Sequence, residues 1–167
     1  TILEHAGLVP AFWPFACRHF CFVSNVTCID GDSPWQRRHN AGPFKGPLYP
    51  FGCLVDIFPT VTKRENVAKF APVAVPAVYL GYVIDPGARW NPSKGLFHAI
   101  ALSEFADVDF RSEDVAWRNA LSIQTVREVM HHGEEYEFPL KWRYDMARRT
   151  IDEIPLPDQL LGPCGPR

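Results

Sequence analysis

Val73-Ala74-Val75-Pro76-Ala77-Val78-Tyr79-Leu80-Gly81-Tyr82-Val83-Ile84 is the stretch that decides the fold. It is β-branched and aromatic throughout, too short to span a membrane as a helix, and stopped by Asp85-Pro86-Gly87, so it is expected to form a strand over 73–84. Pro76 marks an edge position or a bulge, and Gly81 a bend or a close backbone approach. Working outward, 51–58 is a short strand closed by Pro59, and 96–102 a third strand after the Asn91-Pro92-Ser93-Lys94-Gly95 turn. Strands joined by turns, with no amphipathic helix between them, favour a small antiparallel barrel over a parallel α/β sheet. A fourth strand is expected over 122–130, with Gly133-Glu134 turning into a fifth over 136–144; residues 103–121 divide between loose alternation and a short helix.

Upstream, Phe12, Ala16, His19, Phe20 and Val23 recur at three- and four-residue steps, which predicts an amphipathic helix over 11–26 with Pro14 in its first turn. Gly31, Pro34, Gly42, Pro43, Gly46, Pro47 and Pro50 then forbid a long regular element, so 30–47 is read as an extended linker. After Ile154 the composition is that of a flexible Pro/Gly tail. The expected organisation is a helical segment over 1–29, the linker over 30–47, a barrel over 48–145 with an insertion at 103–121, and a tail over 146–167. Thr1-Ile2-Leu3-Glu4-His5 reads as the middle of a helix, so the chain is expected to be a piece of a longer one.

With 167 residues, 47% of them hydrophobic, the chain can bury a core and is not expected to be disordered. Five irregularly spaced Cys leave one unpaired in any full disulfide scheme, which favours a reducing, intracellular setting. There are 17 Lys and Arg against 19 Asp and Glu, and the balance holds locally, so charge alone argues mildly against nucleic acid.

Five segments, in order, resemble the Copia-type retrotransposon integrase, at the end of its catalytic core and through the SH3-like domain that follows. Ile2-Leu3-Glu4-His5-Ala6-Gly7-Leu8 with Phe12-Trp13 looks like the end of the core's long helix, its turn and the start of the next helix. Ser33-Pro34-Trp35 resembles the Thr-Pro-aromatic entry to the linker. Leu48-Tyr49-Pro50-Phe51-Gly52-Cys53-Leu54 resembles the Phe-Gly-Cys strand, Ala77-Val78-Tyr79-Leu80-Gly81-Tyr82 the Phe-Leu-Gly-Tyr strand, and Thr125-Val126-Arg127-Glu128-Val129 the closing strand. Tyr49-Pro50 stands where the family has a basic residue, and the 103–121 insertion interrupts the usual barrel closure.

The resemblance implies a mainly β chain: a helical remnant of an RNase H-like core, then an SH3-like barrel. It implies DNA and other integrase subunits as partners, no membrane and no small-molecule substrate, and a nuclear or retrotransposon-particle location. The family's three carboxylates hold two Mg²⁺ or Mn²⁺ ions for strand transfer. None matches a position here, Glu4 included, so no catalysis and no cofactor is expected of this segment.

No independent catalytic or metal site is expected. Cys17, His19 and Cys21, with Cys28 nearby, lack a completing Cys-x-x-Cys or His-x-x-x-His pair; the helix cysteines Cys17 and Cys21 read as buried core residues, and His131-His132 reads as a solvated turn. Arg and Lys on the loops of a small barrel bind phosphate while aromatics stack on bases or pack on sugars. The candidates are Arg37, Arg38 and Lys45 in the linker, Lys63, Arg64 and Lys69 after the first strand, and Arg89, Trp90 and Lys94 in the next turn. Lys141-Trp142-Arg143-Tyr144 with Arg148-Arg149 is a second, more acid-diluted cluster. The alternatives are a protein-interaction module of the integrase assembly, or a decayed element copy.

Overall fold

A computed structural model describes residues 1–40, 42–58, 73–87, 89–90, 94–111, 120–131 and 133–148. Its elements are α1 (Ile2–Ala6), a 3₁₀ turn (Pro10–Phe12), α2 (Trp13–Val26), α3 (Pro34–His39), β1 (Leu54–Ile57), β2 (Val75–Tyr82), β3 (Phe97–Ala101), a second 3₁₀ turn (Leu102–Phe105), β4 (Gln124–Val126), β5 (Val129–Met130) and α4 (Lys141–Arg148). The strands form one antiparallel sheet in the order β4-β3-β2-β1-β5.

The expected strand over 73–84 forms, and both of its faces are buried. Val78 and Leu80 face one core with Leu8, Phe12, Phe51, Ile100, Phe105 and Leu140. Ala77 and Tyr79 face a second core with Val55, Ile57, Phe97, Trp90 and Val126. Strict alternation would send Tyr82 to the side of Leu80, but the register shifts between Tyr79 and Gly81, and Tyr82 joins Tyr79 instead. Gly81 carries the shift at φ +118°, a backbone conformation that a side chain resists. Pro76 is the second residue of the strand: strand alternation aims its nitrogen toward β3, one residue past the last β2–β3 pair at Ala77–Ala101, so no ladder bond is lost.

The expected strand over 122–130 breaks at Arg127-Glu128 into two pieces that serve opposite edges. β4 pairs with β3, and β5 pairs with β1. Two residues cannot cross a flat five-stranded sheet whose neighbours lie about 4.8 Å apart, so the sheet must curl until its edges approach. The sheet is nonetheless open, because no ladder joins β4 to β5 among the described residues.

Four expectations are corrected. The inward face of α2 is Phe12, Ala16, His19, Phe22 and Val26, while Phe20 is 61% exposed. Phe20 lies one residue, roughly 100°, past the buried His19 and so leaves the stripe. For the same reason Cys17 and Cys21 are exposed rather than core residues. The linker holds a helix: the Ser33 hydroxyl accepts from the Gln36 backbone N–H, and Pro34 occupies the first turn, so these residues start α3 rather than forbid it. The segment read as a strand over 136–144 turns instead into α4, because Leu140, Tyr144 and Ala147 form a helical stripe against the first core. That helix also carries 146–148 out of the expected tail; 149–167 and the proposed helix of the insertion, apart from its last residues, lie outside the described residues.

Two segments distant in sequence meet closely behind β1. A Cβ on Gly52 would fall 2.3 Å from the Cβ of Ala6, so the Phe51-Gly52-Cys53 turn packs directly on the end of α1. On its other side the Gly7 turn lies against the backbone at Leu140 and Lys141, where α4 begins.

Candidate nucleic-acid interface

The groove beside α3 is built on an aromatic ladder. Phe22 of α2 meets Trp35 edge-on at 5.9 Å, Trp35 meets Phe44 at 5.6 Å, and Phe44 meets Trp90 at 5.4 Å. Tyr82 closes the ladder against Phe22 and Trp90, its hydroxyl donating to the Pro47 carbonyl at 2.8 Å. The 42–47 segment is thus tied to the sheet by ring contacts rather than by strand pairing.

Asn25, Pro34, Trp35, Arg37, Arg38 and His39 line a cavity of about 530 Å³ at the Trp35 end of this ladder. The His39 ring lies 4.3 Å from that of Trp35. Partial removal from water, then the charges of Arg89 and Arg38, hold His39 below the ordinary imidazole value. Arg89 therefore reaches the neighbourhood of α3, although it is far along the chain in the turn after β2. Arg37 is paired with Asp32 at 3.2 Å, whereas Arg38 and Arg89 have no ion-pair partner among the described residues.

The candidate residues now sort by position. Arg37 and Arg38 line the groove, the charge of Arg89 acts on His39 beside them, and all three are exposed. Lys45 and Lys94 are exposed in the linker and in the turn before β3. Trp90 is 4% exposed and donates its Nε1–H to the Leu96 carbonyl at 3.4 Å, so it forms the floor of the ladder and offers no open stacking face. Lys63, Arg64 and Lys69 lie outside the described residues. The second basic cluster is structural at Arg143, whose guanidinium donates to the carbonyls of Phe105 at 2.6 Å and Ala106 at 3.0 Å and sits over the Phe110 ring.

Trp35, Asn25 and His39 were not legible as groove residues. Trp35 carried a signal only as the aromatic after Ser33-Pro34, and Asn25 becomes relevant only because α3 folds back beside the end of α2.

Burial pushes the Cys53 thiol up to about 12, far from a thiolate at neutral pH. His131 shares a hydrogen bond with the Glu135 carbonyl at 3.1 Å. Among the described residues no three His, Cys, Asp or Glu side chains gather to hold a metal, and no helix is long and apolar enough to cross a membrane. Comparison of the chain with family models, with curated proteins and with solved structures found no match.

Proposed function

We propose that this chain is a nucleic-acid-holding module of a Copia-like retrotransposon integrase, gripping duplex DNA through phosphates and performing no chemistry itself. The observation that carries the DNA role is that Arg37 and Arg38 line one groove with the rings of Trp35 and His39, while the charge of Arg89, from a separate segment, acts on that same His39. The curled five-stranded sheet is the proposed SH3-like barrel, left open where β4 passes to β5. The family assignment draws support from the contact between Ala6-Gly7 and Phe51-Gly52, since two of the segments carrying the resemblance fold against each other. None of those segments supplies the family's carboxylates, so binding rather than strand transfer is the proposed contribution. A nuclear or particle location follows from the same proposal.

Fluorescence anisotropy on unrelated duplexes across a salt series tests the grip. Changing Arg38 and Arg89 to Gln should weaken binding alike for all sequences and flatten the log-affinity against log-salt slope by about one per lost phosphate contact. Arg37→Gln should do less, because Asp32 already engages that side chain. An unchanged slope in the Arg38/Arg89 variant would remove the groove from DNA binding.

A second reading is favoured by the outer face of α2, where Trp13 and Phe20 stand 57% and 61% exposed at seven-residue spacing. That face suits another subunit of the assembly. Association through it would persist at high salt, whereas the phosphate grip would not.

A further inference from the structure

We propose that the groove between α2 and α3 is a base-binding subsite that takes one unpaired nucleotide of a DNA strand, with its base against Trp35 and its phosphate toward Arg38. The inference rests on the DNA-binding role proposed above and adds to it a ligand that a blunt duplex cannot present. A paired, stacked base shows no free face, so an aromatic in a cavity is of no use to a duplex held by its phosphates.

Four features distinguish this place from a merely basic surface. Its volume of about 530 Å³ lies within the ~300–1,000 Å³ of small-molecule pockets, room for a base with its sugar and phosphate. Trp35 is half-buried and braced edge-on by Phe22 and Phe44, so its indole is held in position before any ligand arrives while part of it remains open to the cavity. The wall opposite in chain order is Asn25, an exposed amide at the end of α2 that can both donate to and accept from a base edge. Arg38 lines the same cavity, has no ion-pair partner among the described residues and acts together with the Arg89 charge on His39, a positive site suited to a phosphate.

The test compares a blunt duplex, the same duplex with a short single-stranded thymidine tail, and the free tail strand, by anisotropy on the whole chain. The tailed duplex should bind on the order of tenfold more tightly than the blunt one. Trp35→Ala should erase that advantage, so that tailed and blunt duplexes bind it alike. Trp35 also packs on three rings, so Asn25→Leu is the second variant: it changes an exposed wall residue, should melt like the parent, and should likewise erase the advantage. Equal binding of tailed and blunt duplexes by the parent chain overturns the subsite and leaves the phosphate grip standing. Binding of the free strand alone, lost in both variants, keeps the subsite and overturns the duplex grip. A tail advantage that survives in Asn25→Leu and in a folded Trp35→Ala places the base elsewhere and overturns the proposal.

Discussion

His19 shows how one side chain can tie acid stability to packing. It is buried between Phe51, Tyr79 and Tyr82, its Nδ1 finds no partner among the described residues, and burial lowers its pKa from 6.5 to about 4. A folded-state pKa below the unfolded one means that the unfolded chain binds the extra proton first, so stability falls as pH drops from about 6.5 toward 4. The loss should reach on the order of 3 kcal/mol, and denaturant melts of His19→Leu should show a shallower pH dependence over that window. An identical acid limb in the variant would show that the imidazole is already charged in the fold. His98, also lowered by burial, adds to the same limb and should survive as a residual slope. Arg143 makes a separate case, since its donation to the Phe105 and Ala106 carbonyls predicts that Arg143→Met costs about 1.5–3 kcal/mol in melts with DNA affinity unchanged. Neither role was readable from spacing: helical periodicity put His19 on the inward face, but its ring cage and the reach of Arg143 depend on segments far away in the chain.

At the scale of elements, local chemistry located the strands and the start of α2 well, and failed where tertiary contact chose between patterns. The apolar run around Tyr79 could only be a strand, whereas 136–144 satisfied strand and helix patterns alike until Leu140 and Tyr144 found the first core. The short α3 was hidden by the prolines and glycines around it, although Ser33 and Pro34 are ordinary helix-starting residues. The contact of α1 with the turn before β1 gives the sharpest test at this level. Gly52→Ala should destabilise by more than about 1 kcal/mol, because Gly52 sits at φ +81° and its new methyl would overlap Ala6. Adding Ala6→Gly should recover part of that loss, since it removes the overlapping methyl but not the backbone strain. Strict additivity in the double-mutant cycle would mean that the two turns do not touch in solution.

At the scale of the whole molecule, the antiparallel class was legible, but the strands were not all the expected ones: 122–130 splits into β4 and β5 while 136–144 turns into α4, and a break at Arg127-Glu128 leaves no mark in apolar alternation. The groove was equally invisible, since it depends on α3 folding back beside the end of α2. If the chain only holds DNA, carefully purified protein should neither nick nor join DNA with Mg²⁺ or Mn²⁺, and metal-dependent cleavage in a gel assay would sink that view. The short step from β4 to β5 also governs how the fold comes apart. A strand lost from the edge of an ordinary sheet leaves the other edge undisturbed, but here freeing β4 from β3 slackens the same two residues that hold β5 on β1. The two margins should therefore open as one cooperative unit, with amides at Gln124–Val126 and Val129–Met130 exchanging hydrogen at a common opening free energy. Lengthening the Arg127-Glu128 step with glycines should separate the two into independent events, turning one latch into two.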